Sequence, residues 1–252
     1  MAAQSLAGAR PRVHKNYRFA PTVPAMSGID AVCFDLDGTL CVSAQDRDRL
    51  LSDAFADVGI DPAFDLADLW AVETSSLPTA ESSFEFHGNL FGAGARQTGK
   101  PLSQGTIESL TDAYLARYDP AAVEPRDGAL DALEAARLNG PVGLVTNGGE
   151  DVQTAKLRTL GIEDAFDVRV FCDPADGIEP KPDPRPLELA LGELGTPAER
   201  SLMVGDSLGA DVAGAHAVGM QSAWVPSTDP DGDPEPTPTH VLDSPGQLST
   251  LW

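Results

Sequence analysis

Five short apolar runs fix the kind of fold open to this chain. They are IDAVCFD (29–35), VGLVTN (142–147), VRVFCD (168–173), LMVGD (202–206) and SAWVP (222–226). Each is long enough for one strand buried on both faces and too short for a buried helix. Between them lie stretches with helical spacing. DGALDALEAARLNG (127–140) sets Leu130 and Leu133 on one face, and EDVQTAKLRTLGI (150–162) sets Val152, Leu157 and Leu160 inward; PRPLELALGELG (184–195) and SLGADVAGAHAVGM (207–220) follow the same plan. Strands alternating with helices require crossover connections, so the fold class is α/β: a doubly wound, Rossmann-like parallel sheet.

Residues 43–124 interrupt this alternation. DRLLSDAFADVGI (48–60) places Leu51, Ala54, Phe55 and Val58 on one helical face, and TIESLTDAYLARY (106–118) does the same with Ile107, Leu110, Tyr114 and Tyr118. No strand-like run separates them, so the segment is expected to be an inserted all-helical cap domain, with residues 29–42 and 125–252 forming the core. Its middle, SSFEFHGNLFGAGARQTGK (82–100), is glycine-rich and reads as a loop. His87, Arg96 and Lys100 there are candidates for recognising a leaving group, while Trp70, Phe84, Phe86 and Phe91 read as cap core. The segment STDPDGDPEPTPT (227–239) reads as a surface loop, and its DPDGD lacks the remaining ligands of a calcium loop.

Charge narrows the partners. The 252 residues hold 39 acidic and 17 basic side chains, a net charge of -22. A nucleic-acid binder needs a basic footprint, so that class is excluded, and anionic membranes are disfavoured with it. No apolar run is long enough to span a bilayer. Acids spread from Asp30 almost to the end, with lysine limited to Lys15, Lys100, Lys156 and Lys181, match the surface chemistry of a halophilic cytoplasm. Cys33, Cys41 and Cys172 form no paired motif, so they read as packing residues in a reducing compartment. Residues 1–28 differ from the rest, carrying Arg10, Arg12, Lys15 and Arg18 and no acid. They read as a disordered or spurious leader that contributes no strand, with Met26 as an economical start.

The chemistry concentrates in four motifs, each at the carboxyl end of an expected strand or just after it: DLDGT (35–39), VTNGG (145–149), KPDP (181–184) and VGDSLGAD (204–211). In an open parallel sheet that edge is where ligands bind. Strand side chains alternate, so Asp35 and Asp37 lean to one side while Leu36 enters the core. Two carboxylates that close need a cation or a shared proton. With the backbone carbonyl of Asp37, Asp35 and Asp206 make an oxygen-only set suited to Mg²⁺. Crowding by Asp35 is expected to favour a protonated Asp37, and Gly38 is expected to take a backbone conformation closed to other residues. Lys181, a scarce lysine in a proline-stiffened loop, suits a phosphate oxygen and the Asp35 carboxylate.

Over residues 29–252 the four motifs, in this order, resemble the haloacid dehalogenase-like hydrolase superfamily. The resemblance implies that Asp35 is a nucleophile and Asp37 a general acid and base. It implies that Thr146, Asn147 and Lys181 bind phosphate and that the metal site comprises Asp35, Asp37 and Asp206. Asp211 is a metal ligand or, by preference, a residue that fixes Lys181. An acid at position 37 favours a phosphatase over a dehalogenase, since a halide leaves without a proton. The implied activity is Mg²⁺-dependent hydrolysis of a small phosphorylated metabolite through an aspartyl phosphate, by a monomer or homodimer. A phosphomutase uses the same acids. A receiver domain for signalling also combines acids, a hydroxyl and a lysine, but its motif order differs and it has no helical insert; an inactive binding protein on this fold would not need the acids, threonine and lysine intact.

Overall fold

The computed structural model describes residues 28–73, 76–78, 80, 82–227 and 234–252, together with the backbone of 13–15. It divides into two compact units, residues 1–42 with 123–252 and residues 43–122. The first is built on a seven-stranded sheet. In chain order its strands are β1 (Val13–Lys15), β2 (Ala31–Phe34), β5 (Val142–Asn147), β6 (Val168–Cys172), β7 (Ser201–Gly205), β8 (Gln221–Trp224) and β9 (His240–Val241). Across the sheet they run β1-β6-β5-β2-β7-β8-β9. The six strands from β6 to β9 are parallel, and β1 pairs antiparallel with β6 at the edge. That short pairing differs from the expected strandless leader. The rest of residues 1–27 lies outside the described residues, as does the DPDGD segment.

The five apolar runs supply β2, β5, β6, β7 and β8, each one almost wholly buried. Alternation divides the core between the two faces: Val32, Phe34, Leu144, Leu202 and Val204 pack on one, and Cys33, Val145, Val170 and Met203 on the other. β2 is the centre of the winding. The chain runs through β5 and β6 on one side of it and through β7, β8 and β9 on the other, so the carboxyl end of β2 is the topological switch point.

Helices α5 (Ala129–Asn139), α6 (Glu150–Leu160), α7 (Arg185–Leu194) and α8 (Ala213–Val218) fill the connections. Two inward faces differ from the sequence reading. In α5 Ala129, Ala132, Leu133 and Ala136 are buried and Leu130 is exposed; in α6 Gln153, Lys156 and Leu157 are buried and Val152 is exposed. Alanines let α5 lie close, and in α6 a polar face is turned inward, which a rule that looks for leucine and valine does not find.

The second unit holds α1 (Arg47–Val58), α2 (Leu66–Trp70), α3 (Ser83–Gln97) and α4 (Gln104–Leu115). α1 is bounded by its Asp46 cap and by Gly59 in the left-handed region. The segment expected to be a glycine-rich loop is the helix α3, capped by Ser82. Its glycines serve close packing: a Cβ at Gly94 would lie 2.7 Å from Leu69, and one at Gly92 would lie 3.3 Å from Ile107. Phe55, Phe64, Phe91 and Tyr114 form the buried ring cluster. Trp70 and Phe86 are exposed rather than core. A two-stranded ribbon of β3 (Cys41–Ser43) and β4 (Val123–Pro125) carries both crossings of the chain between the units.

Candidate active site

The site is assembled at the switch point from loops that leave β2, β5 and β7 and from the segment preceding α7. Asp35 follows β2 directly, its N–H donating to Val204 O across the β2–β7 pair at 2.9 Å. Lys181 comes in from the far side and is buried. Its Nζ donates to Asp35 Oδ1 at 2.8 Å, to Asp211 Oδ1 at 2.7 Å and to Val145 O at 2.6 Å. All three hydrogens of the ammonium therefore have acceptors. The second oxygen of Asp211 accepts from the Ser207 N–H at 3.0 Å, so both its oxygens are engaged and it acts to hold Lys181.

Asp206, at the end of β7, has its backbone carbonyl fixed by the Trp224 indole N–H at 2.7 Å. Its carboxylate lies against Gly38, where a Cβ would come within 2.2 Å of Asp206 Oδ2. Gly38 also has φ of 79°, as the sequence requires of it. Gly205 serves Asp211 in the same way, since a Cβ there would meet the Asp211 carboxyl carbon at 2.2 Å. After it, Leu208–Val212 forms a single π-helical turn that carries Asp211 inward.

Three carboxylates, Asp35, Asp206 and Asp211, bring ligand atoms within 4.8 Å of one another around a single ammonium. Burial pushes the Asp35 carboxyl up to about 8, against the pull of Lys181 and with the help of the Asp211 and Asp206 charges. Burial, aided by Asp211, pushes Asp206 up to about 6. Burial works against the charge of Lys181, but Asp211 and Asp35 outweigh it and hold the lysine up. One cation for three acids leaves negative charge that a hard divalent ion would neutralise, so the donor set fits Mg²⁺, with Asp35 and Asp206 as the carboxylates open to it.

Asp37 sits differently from the sequence expectation. β2 ends at Phe34, and Asp37 begins a tight turn closed by the Gly38 N–H on Cys41 O at 2.8 Å, so strand alternation does not reach it. Its two oxygens both accept from Lys156 Nζ at 2.7 Å, so a cation stands directly against it. Gln153 Nε2 donates to the same carboxylate at 3.0 Å. That nitrogen also lies 3.0 Å from Thr146 Oγ1 and 3.1 Å from Asn147 O. Arg126 ties the turn to the sheet by donating to Gly38 O at 2.5 Å, Val225 O at 2.8 Å and Pro226 O at 2.5 Å.

Thr146 is buried at the end of β5, its hydroxyl beside the Asp37 network. The Asn147 side chain meets the backbone of Lys181. Its Oδ1 accepts from the Lys181 N–H at 2.9 Å and its Nδ2 donates to Lys181 O at 3.2 Å, so it clasps the lysine's backbone. In the helical unit His87 is buried, with Nδ1 on Ser83 O at 2.7 Å and its ring among Phe91, Tyr114 and Tyr118. Burial lowers its pKa. Lys100 donates to Pro62 O at 3.1 Å, and Arg96 is exposed in the last turn of α3. The sequence reading passed over Arg126, Gln153 and Lys156. For Lys156 a signal existed, because the scarcity argument applied to Lys181 covers it equally. The three cysteines are buried, and burial pushes the Cys33 and Cys41 thiols up to about 12 and Cys172 up to about 11.

The family model for haloacid dehalogenase-like hydrolases matches residues 29–219. A Yersinia pestis protein named phosphoglycolate phosphatase is 32% identical over 198 residues, which cover 76% of this chain and 81% of that protein. Among solved structures, a predicted phosphoglycolate phosphatase from Haemophilus somnus is similar in fold with a TM-score of 0.68 at 21% identity, covering 90% of this chain and 99% of its own. The HAD-hydrolase YfnB of Bacillus subtilis, solved bound to magnesium, has a TM-score of 0.62 at 23% identity, covering 88% of this chain and 98% of its own. With the model spanning most of the chain and a relative of this identity matched over most of its length, the chain belongs to the haloacid dehalogenase-like hydrolases.

Proposed function

We propose that this chain is a Mg²⁺-dependent phosphatase that hydrolyses a small phosphorylated metabolite through an aspartyl phosphate on Asp35. Its class, a hydrolase of phosphoric monoesters, accords with the phosphatase relatives. The observation that carries the mechanism is the separation of the two acids of DLDGT onto two different cations: Asp35 on Lys181 and Asp37 on Lys156. One carboxylate can then act as nucleophile while the other moves protons.

In the first half-reaction the Asp35 carboxylate forms a bond to phosphorus as the bond to the leaving oxygen breaks, and Asp37 supplies the proton that oxygen takes up. In the second, Asp37 takes a proton from water as the water oxygen attacks phosphorus, and the Asp35 carboxylate leaves. The Thr146 hydroxyl would donate to a phosphate oxygen, and Lys181, whose three hydrogens go to Asp35, Asp211 and Val145 O, would act on the phosphoryl group as a neighbouring positive charge. A divalent ion held by Asp35, Asp206 and the Asp37 carbonyl would screen the repulsion between nucleophile and phosphate. The acidic composition fits work in a saline cytoplasm.

The test is a panel of sugar phosphates, phosphoglycolate and nucleotides assayed with Mg²⁺ in molar KCl. Release of inorganic phosphate from at least one is expected. Return of the phosphoryl group to an isomer of the substrate would instead make the chain a mutase, and no turnover of any would overturn the reading.

A further inference from the structure

The inward face of α6 holds Gln153 and Lys156, two polar side chains where a helix against a sheet ordinarily turns aliphatic ones. Lys156 is 7% exposed, and burying an ammonium is costly without a matched partner. Its partner is Asp37, whose side chain is 49% exposed, so the lysine reaches from the interior to a carboxylate on the open side of the site.

Gln153 joins that carboxylate to the phosphate-binding side. Three acceptors, Asp37 Oδ2, Thr146 Oγ1 and Asn147 O, gather around its Nε2, which carries two hydrogens. Only the amide nitrogen can face them, and Thr146 is left free to donate its hydroxyl hydrogen elsewhere. The opposite atom, Gln153 Oε1, is buried with no hydrogen-bond partner, an arrangement retained at a cost to stability. Space for the amide comes from Gly148, whose φ is 144° and where a Cβ would lie 2.8 Å from Gln153 Nε2.

We propose that Gln153 and Lys156 are positioning residues that hold the Asp37 carboxylate and the Thr146 hydroxyl in one frame, fixing the distance between proton carrier and bound phosphoryl group. The proposal rests on the phosphatase reading above. It makes Lys156 act through Asp37, so loss of the lysine should hurt steps that need a proton moved and spare those that do not.

The experiment compares wild type, Lys156→Met, Lys156→Arg, Gln153→Leu, Asp37→Asn and the Lys156→Met/Asp37→Asn double variant, each with Mg²⁺, on an alkyl phosphate and on an aryl phosphate with an acidic phenol. For Lys156→Met the alkyl kcat is expected to fall about tenfold to a hundredfold, the scale of a misplaced catalytic group, with KM little changed. On the aryl ester the same variant should release its first equivalent of phenol at the wild-type rate and then slow, with phosphorylated Asp35 accumulating by intact mass. Gln153→Leu should show the same split, Lys156→Arg should restore part of the rate, and the double variant should be no slower than Asp37→Asn alone. Equal loss on both esters, additive loss in the double variant, or full activity in both Lys156→Met and Gln153→Leu would overturn the proposal. A wild-type protein inactive on every phosphate ester would overturn the phosphatase reading and this proposal with it; activity in the wild type without the split in the variants overturns this proposal alone. Should Lys156→Met fail to fold, the split is read from Gln153→Leu and Lys156→Arg.

Discussion

Both units bury an apolar core, but they differ in the charged and polar side chains enclosed with it. At its sheet edge the α/β unit encloses Asp35, Lys181, Asp211, Gln153 and Lys156, while the helical unit encloses Phe55, Phe64, Phe91, Leu110 and Tyr114, with His87 and Thr111 its only buried polar side chains among the described residues. Buried charge is expensive, and it persists in the first unit because each group is matched to another across the switch point. Apolar rings carry no charge to match and are stabilised by buried area and by their edge-to-face contacts. The contrast separates chemistry from support: changes in the first unit should alter reaction steps, and changes inside the second should alter stability.

The largest effect should come from the charged edge. On the proposed mechanism Asp35→Asn should lose turnover by about 10⁴-fold or more, with no phosphoenzyme detectable by mass. A phosphoenzyme formed by this variant would place the nucleophile elsewhere. Asp37→Asn should keep the first aryl step and then stall after about one equivalent of phenol. Steady turnover of both ester types by that variant would break the division of labour between the two acids.

The helical unit offers the converse. Phe91 is 1% exposed within the ring cluster, and Phe91→Ala should lower stability by about 3–5 kcal/mol, read from denaturant unfolding. At a temperature where the variant stays folded, its ratio of alkyl to aryl turnover should equal that of wild type. A changed ratio would show that the ring cluster takes part in the proton steps.

A smaller effect follows from the raised acids. Asp35, pushed up to about 8, and Asp206, pushed up to about 6, stand above the ordinary aspartate value near 3.9 of an unfolded chain. Between about pH 4 and 8 the folded state therefore binds more protons than the unfolded one, and stability falls as pH rises. In EDTA the melting midpoint should decline across that window, and Mg²⁺ should flatten the decline. Identical slopes with and without Mg²⁺ would remove these acids from the metal site. The smallest shift expected is a rise in melting midpoint from dilute buffer toward molar KCl, because screening relieves repulsion among 39 acids opposed by 17 bases. A midpoint independent of salt would contradict the halophilic reading.

Much of the sheet was legible because strands buried on both faces carry apolar runs, and the points where those runs end in Asp35, Thr146 and Asp206 mark the edge where the groups meet. Lys181 was legible from scarcity. What the sequence concealed has a common cause, since each case depends on a partner distant in the chain. The inner face of α6 is polar because Asp37 lies opposite it, 119 positions away from Lys156. The Asn147 side chain turns to the Lys181 backbone, and the glycines of α3 mark contact with α2 and α4 rather than a loop. Periodicity reports only whether a face is apolar.

The meeting of Gly38 and Asp206 carries one more consequence. A methyl group at position 38 and the carboxylate at position 206 claim the same space, although 168 positions separate them in the chain. Position 38 is thus kept bare by a residue far along the chain as well as by its own backbone angle. A side chain at position 38 would push the Asp206 carboxylate aside, and the positive φ there would strain it even beside a smaller residue at 206. The constraint is geometric exclusion rather than attraction, and it acts through the space that the Asp206 carboxylate fills.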